Sequence, residues 1–188
     1  KSSSTQAFVN LLDTYHKSYM LLAPTGRAAK VLTGYTGKEA QTIHRGLCYM
    51  PPGRWEYNSE NKLQHDVIIV DEFSMVDIFL FKHLVEAIDF SRTKLLLIGD
   101  DAQIPSVGAG NVLYDLLKWE HVPTVTLNKI FRYGAGGLSS VATDIRQGKE
   151  YLDKTKTGIQ IFGDDQAYVF VPLDQTKIVD YTVKLYQT

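Results

Sequence analysis

Two acidic residues follow a short apolar run in the first half of the chain. The run is Val67–Val70, and the acids are Asp71 and Glu72. Apolarity at consecutive positions predicts a strand buried on both faces, as in a parallel sheet, and ligands of such sheets bind beyond the carboxyl ends of the strands. Adjacent acids there suit nucleotide hydrolysis, with Asp71 holding Mg²⁺ largely through water and Glu72 orienting or deprotonating the attacking water. The alternative is a pair of solvated acids that cap the following helix.

A second apolar run, residues 95–98, ends in a polar turn of the same kind. Gly99 permits a sharp turn, and Gln103 offers both a hydrogen-bond donor and an acceptor. A glutamine at the end of a strand can sense the γ-phosphate of a nucleotide; the alternative is a surface amide on a capped turn. Two parallel strands with polar ends side by side favour the first interpretation.

The chain begins with a lysine and three serines, ahead of a helical pattern. A phosphate-binding loop has the form G-x-x-x-x-G-K-[ST], between a strand and a helix, and Lys1-Ser2 matches its last two positions. Lys1 would then reach the β- and γ-phosphates, and Ser2 would ligate Mg²⁺. The glycines whose backbone N–H groups surround the phosphates are not in the sequence, so we expect little or no ATPase activity from these 188 residues alone. Two explanations of the missing glycines stay open: the loop is cut short, or residues before Lys1 complete it.

Apolar runs alternate with helical patterns along the chain, which predicts an open α/β sheet that would position these groups. The predicted strands are residues 19–23, 67–70 and 94–98, and the predicted helices are residues 5–15, 27–32, 78–88 and 112–117. Residues 49–64 are rich in proline, glycine and asparagine and predict a loop or small hairpin inserted between core elements. Further along, we expect a strand at 122–127, a flexible glycine-rich stretch at 133–137, a strand at 167–171 and a helix at 176–186.

The composition excludes some classes of protein. Hydrophobic residues make up 44% and the net charge is -1, so any nucleic-acid site must be a local basic patch on a balanced surface. Cys48 is the single cysteine, which excludes an internal disulfide and fits a reducing cytoplasm, where we expect the protein to be located. No apolar run is long enough to span a membrane, so we expect no membrane partner.

Five segments resemble, in order, the motifs of superfamily 1 DNA helicases, and among them the RecD-like group (the exodeoxyribonuclease V alpha chain and RecD-TraA family). Residues 22–30 resemble motif Ia, 42–45 motif Ib, 70–77 motif II or Walker B, 99–110 motif III, and 130–132 motif IV. The chain departs from the family at the absent loop glycines, at Phe73, where a small residue is common, and at Asp101, where proline is frequent. Neither substitution removes a chemical group that the mechanism needs.

The resemblance implies a fold and a set of roles. The fold is a RecA-like P-loop NTPase domain over residues 1–150, with a mainly parallel central sheet flanked by helices, and residues 151–188 lead toward a second motor domain. Asp71 assists Mg²⁺ and Glu72 is the catalytic base. Gln103 contacts the γ-phosphate, and Arg132 stabilises the negative charge on it. The residues expected to contact DNA are Thr25, Arg27, Lys30, Thr42 and His44.

The DNA candidates are also compatible with purely structural positions. Arg27 and Lys30 would suit a solvated helix face equally well, and His44 a packed core position. Single-strand binding normally pairs a basic groove with stacking aromatic rings. The aromatic residues of the inserted segment, Tyr49, Trp55 and Tyr57, are candidates for that stacking, or else they pack on one another.

The implied function is an ATP-dependent DNA helicase that moves along single-stranded DNA, in the 5′-to-3′ direction, in recombination and repair. Partner subunits of a helicase–nuclease complex are a further implication. One alternative is the helicase portion of a conjugative relaxase, which shares these motifs. Another is a non-catalytic fragment that binds DNA or a partner, although the intact Asp71, Glu72, Gln103 and Arg132 argue against a degenerate site.

Overall fold

The computed structural model describes residues 2–127 and 136–187, and the chain forms two compact units, Lys1–Leu127 and Asn128–Thr188. The elements of the first unit are α1 (Ser2–Thr14), β1 (Tyr19–Ala23), α2 (Gly26–Thr36), β2 (Ala40–Thr42), α3 (Ile43–Gly46), β3 (Tyr49–Met50), β4 (Arg54–Trp55), β5 (Val67–Val70), a 3₁₀ turn (Phe73–Met75), α4 (Ile78–Glu86), β6 (Lys94–Leu97) and α5 (Val112–Lys118).

A parallel sheet of four strands forms the centre of the first unit, in the order β2-β1-β5-β6. Leu22 on β1 lies opposite Val70 on β5, and Val70 lies opposite Leu97 on β6. All three pairings are parallel, so the carboxyl ends of the strands meet at one edge of the sheet. The α/β fold predicted from the sequence is confirmed.

Helices cover both faces of the sheet, which explains why its central strands are apolar at consecutive positions. Alternate strand residues point to opposite faces. On one face Leu22 and Val70 join a core with helices α3, α4 and α5. On the other face Leu21 and Ile69 pack with α1 and α2. The helical residues buried in these two cores are Ile43, Leu84 and Val112 on the first face, and Val9, Leu12 and Leu32 on the second.

Several sequence predictions need correction. Residues 122–127 form no strand: Pro123 has no N–H for a ladder, and Val125 is 86% exposed, with no sheet to cover it. The edge strand β2 and the one-turn helix α3 were not predicted, because both are too short and too polar to show a period. The inserted segment is a hairpin, β3-β4, as expected.

The second unit contains α6 (Gly137–Arg146), the antiparallel pair β7 (Gln160–Phe162) and β8 (Tyr168–Phe170), a 3₁₀ turn (Gln175–Lys177) and α7 (Ile178–Tyr186). A side chain at Gly137 would collide with the carbonyl of Phe162, so glycine allows α6 to approach β7 closely. This packing places α6 with the hairpin, and the compact units divide after Leu127, not after residue 150. The assignment of residues 1–150 to one motor domain stays a prediction.

The predicted flexible stretch, 133–137, falls largely outside the described residues, and its last residue begins α6. Among the residues that the structure describes, no helix is both long and apolar enough to cross a bilayer.

Candidate nucleotide and nucleic-acid site

The carboxylate of Asp71 lies at the carboxyl end of β5 and is held at both oxygens. Its side chain is largely buried, with 7% of the residue exposed. Oδ1 accepts the backbone N–H of Glu72 at 2.8 Å, and Oδ2 accepts the hydroxyl of Tyr35 at 2.6 Å. Glu72 stands at the N-cap of the following 3₁₀ turn but makes no side-chain capping hydrogen bond, and Asp77 caps α4 instead. The two acids are therefore not solvated helix caps, which was the alternative interpretation of this pair.

The backbone of Glu72 is in the left-handed region, with φ 52° and ψ 39°. A residue other than glycine is held there only where its surroundings fix it, and such residues cluster at active sites. The anchor is the next residue, Phe73, which is fully buried and whose N–H donates to the carbonyl of Ile98 at 2.9 Å. The Phe73 ring meets Phe81 edge-on, with the centroids 5.5 Å apart. The large residue at this position thus fixes the turn that presents Glu72.

Gln103 lies on the loop that follows β6, the strand that pairs with β5. Ile98 donates its N–H to the carbonyl of Val70 at 2.8 Å, so the two strands stay paired to their carboxyl ends. The Gln103 side chain is exposed, and its backbone N–H closes a turn onto the carbonyl of Asp100 at 3.2 Å. The far end of the loop is anchored to the start of α4, where the N–H of Ile78 donates to the carbonyl of Ala109 at 3.0 Å. The loop therefore presents Gln103 to solvent from a fixed base.

The start of α1 is linked to Asp71 through Tyr35. Thr5, on the first turns of α1, is 2% exposed and lies beside the hydroxyl of Tyr35, which donates to Asp71. Ser2, the predicted Mg²⁺ ligand, is the first residue of α1 and is half-buried. Two further predicted site residues, Lys1 and Arg132, lie outside the described residues. Tyr35 thus lies between the first turns of α1 and the carboxylate at the end of β5.

Sequence reasoning did not find Tyr35. Burial and then the hydrogen bond to Asp71 raise the pKa of its hydroxyl well above the ordinary value, so Tyr35 is a proton donor at every physiological pH. The sequence pattern did not indicate Tyr35, because its contact with Asp71 joins residues that are 36 positions apart.

The predicted DNA residues lie at the same edge of the sheet. Thr42 ends β2 and pairs with Ala23, the last residue of β1, and Thr25 follows two positions later. Both threonines cap helices: the Thr25 hydroxyl accepts the N–H of Ala28, and the Thr42 hydroxyl accepts the N–H of Arg45, each at 3.2 Å. Each hydroxyl keeps its own proton free to donate, so the caps leave room for a phosphate contact.

The basic candidates on α2, Arg27 and Lys30, are exposed. His44 is also exposed, which excludes a packed core position for this histidine. Its ring lies 5.6 Å from Tyr49 and 5.4 Å from Trp55.

The inserted hairpin uses its aromatic residues in different ways. Trp55 stacks on His83 of α4, with the ring centroids 4.4 Å apart. Trp55 and Tyr57 pack against the core, whereas Tyr49 is exposed. Trp55 and Tyr57 thus anchor the hairpin, and Tyr49 and His44 remain accessible to a ligand.

The donor atoms fit Mg²⁺. Asp71 and Ser2 offer carboxylate and hydroxyl oxygens, the hard donors that Mg²⁺ prefers, and Mg²⁺ in nucleotide sites takes one or two protein oxygens together with phosphate oxygens and water.

The chain is similar in sequence to a protein family and to several known proteins. A protein-family model described as "AAA domain" matches residues 1–109. The chain is 37% identical over 135 residues to an ATP-dependent RecD2 DNA helicase of Deinococcus radiodurans, covering 72% of the chain and 18% of the relative. It is 37% identical over 147 residues to the RecBCD enzyme subunit RecD of Mycolicibacterium smegmatis, covering 68% of the chain and 26% of the relative. The chain thus spans roughly a fifth to a quarter of these relatives.

A solved structure supports the fold. The crystal structure of Bacteroides Pif1 bound to single-stranded DNA aligns with a TM-score of 0.52 at 23% identity, over 79% of this chain and 41% of that one. At this level of identity the likeness concerns the fold alone, and the fold is RecA-like. The chain therefore belongs to the AAA domain family, and it is similar to the RecD and RecD2 helicases.

Proposed function

We propose that this chain is the first ATPase motor domain of an ATP-dependent DNA helicase, which couples ATP hydrolysis to movement along single-stranded DNA. The observation that carries the proposal is the fixed carboxylate of Asp71 beside Glu72, at the edge of the sheet where β6 also ends and α1 begins. The relatives named RecD2 DNA helicase and RecD support it.

In the proposed nucleotide site, Lys1 contacts the β- and γ-phosphates, and Ser2 and Asp71 hold Mg²⁺. Bound Mg²⁺ neutralises charge on the phosphate oxygens. Glu72 accepts a proton from the attacking water, and it follows Asp71 directly on the fixed turn after β5. Gln103 and Arg132 contact the γ-phosphate, where a planar guanidinium matches the geometry of the oxygens.

In the proposed DNA site, the phosphates of a single strand lie along the edge formed by the starts of α2 and α3. Thr25 and Thr42 donate hydroxyl protons, and Arg27 and Lys30 supply positive charge that the balanced net charge of the chain does not. His44, with Tyr49 beside it, offers an exposed ring for a base. The resemblance to RecD-like proteins extends the proposal to 5′-to-3′ movement, a role in recombination and repair, and partner subunits of a helicase–nuclease complex.

The test is ATP hydrolysis by the full-length protein as a function of single-stranded DNA concentration. We expect DNA to stimulate turnover, and the double substitution Arg27→Gln with Lys30→Gln to raise the DNA concentration needed for half-maximal stimulation about tenfold, because each lost phosphate contact weakens binding. The matched control is Lys17→Gln with Lys94→Gln, which removes the same charge where β1 and β6 begin, at the opposite edge of the sheet. Turnover without DNA stimulation, or an equal effect of the two double variants, would contradict the proposal.

A further inference from the structure

The hydroxyl of Tyr35 makes the short contact to Asp71. Tyr35 lies near the end of α2, and its O–H donates to Oδ2 of Asp71 at 2.6 Å. This is the length typical of a hydroxyl bound to a carboxylate, a stronger bond than one between neutral groups. The other oxygen, Oδ1, accepts a hydrogen bond from the N–H of Glu72, so hydrogen bonds to both oxygens fix the plane of the carboxylate.

The tyrosine ring is itself held in place. It packs against the core formed by α1, α2 and the sheet, in which Leu12, Leu21 and Leu32 are buried. The buried Thr5 of α1 lies beside the same hydroxyl. A donor whose ring is fixed by packing imposes one orientation on its acceptor, which is how outer groups orient metal-binding carboxylates.

The contact also joins two candidate sites. Helix α2 begins at the cap Thr25 and carries Arg27 and Lys30 on its first turns, while its last turn carries Tyr35. One rigid element of 11 residues thus runs from the proposed DNA contacts to the proposed metal carboxylate.

We propose that Tyr35 is a positioning residue that orients the Asp71 carboxylate toward the water shell of the nucleotide-bound metal and ties this orientation to helix α2. The inference rests on the proposed function, because it assigns the acceptor of the hydrogen bond to the nucleotide site. Tyr35 touches neither the nucleotide nor the metal; it acts through Asp71.

The chain provides a matched control in Tyr19. Its hydroxyl donates to Oδ1 of Asp13 at 2.8 Å, and its ring packs against the same core as Tyr35. Tyr19 lies at the amino end of β1, and Asp13 is an exposed residue of α1 outside the proposed site. Tyr35→Phe and Tyr19→Phe each remove one hydroxyl from one tyrosine–aspartate pair and keep the ring, but only the Tyr35 pair lies in the proposed site.

The experiment compares the two variants with the wild type in the full-length protein. Binding of Mn²⁺, as a probe for the metal, is titrated by electron paramagnetic resonance in the presence of ADP, and ATP turnover is measured against Mg²⁺ concentration. We expect Tyr35→Phe to weaken Mn²⁺ binding and to raise the Mg²⁺ concentration for half-maximal turnover about tenfold, as loss of an outer-shell partner does. We expect Tyr19→Phe to leave Mn²⁺ binding and the Mg²⁺ dependence of turnover unchanged. The thermal midpoint of unfolding should shift by a similar amount in the two variants.

The outcomes separate the two proposals. If the wild type binds Mn²⁺ with ADP and hydrolyses ATP, but Tyr35→Phe matches Tyr19→Phe in both readouts, the positioning role is overturned and the proposed function stands. If the wild type neither binds Mn²⁺ with ADP nor hydrolyses ATP, the proposed function fails and the positioning role fails with it.

Discussion

At the scale of single residues, the turn after β5 combines a strained position with a buried anchor. Glu72 adopts a left-handed backbone that costs about 1–3 kcal/mol for a residue other than glycine. The fully buried Phe73 holds that conformation through its backbone bond to Ile98 and its packing against Phe81. The residue that departs from the family pattern is therefore the one that fixes the candidate base.

This arrangement predicts that Phe73→Ala destabilises the fold strongly. Removing a fully buried phenylalanine side chain costs about 3–5 kcal/mol through lost burial and the cavity left behind. The control is Phe79→Ala on α4, which removes the same side chain from a residue that is 66% exposed and should cost under about 0.5 kcal/mol. Chemical denaturation measures both values. Equal losses of stability would show that Phe73 does not anchor the turn.

At the scale of elements, helix α2 has a cap whose hydroxyl serves two purposes. Thr25 accepts the N–H of Ala28 and thereby satisfies one free donor of the first turn. In the proposed DNA site the same hydroxyl donates its own proton to a phosphate. The two roles can be separated, because a cap needs only an acceptor, whereas a phosphate needs a donor.

Thr25→Asp separates them. Aspartate caps helices at least as well as threonine, so the free energy of unfolding should stay within about 0.5 kcal/mol of the wild-type value. The added negative charge and the lost donor should weaken single-stranded DNA binding roughly tenfold, since a hydrogen bond to a charged group contributes about 1.5 kcal/mol. Thr25→Ser, which keeps both functions, is the control, and fluorescence anisotropy with a labelled oligonucleotide is the measurement. Unchanged affinity in the aspartate variant would leave Thr25 as a helix cap alone.

At the scale of the whole molecule, the sequence predicted the framework well and the fine contacts poorly. The strands β1, β5 and β6 could be predicted from the sequence because helices cover both faces of the sheet, so consecutive strand residues are apolar. The edge strand β2 was missed because its three residues are half-buried and lack that pattern. The predicted strand at 122–127 was wrong because apolar residues alone do not provide a neighbouring strand.

The positions of the candidate site residues in the fold were predictable to a similar degree. Asp71, Glu72 and Gln103 follow strands, and the positions of strand ends could be derived from the apolar runs. Tyr35 could not be predicted, because its contact depends on how α2 packs against the sheet. The same holds for the accessibility of His44, which depends on the packing of the hairpin beside it.

The central claim is that Glu72 is the base of a nucleotide-hydrolysing site built at the ends of β5 and β6. The most direct measurement is ATP turnover and ATP affinity of Glu72→Gln in the full-length protein, with Glu39→Gln, an exposed acid outside the site, as the control. We predict that Glu72→Gln binds ATP as the wild type does but hydrolyses it about 10²–10⁴-fold more slowly, because glutamine cannot accept the proton. Turnover near the wild-type rate would contradict this claim.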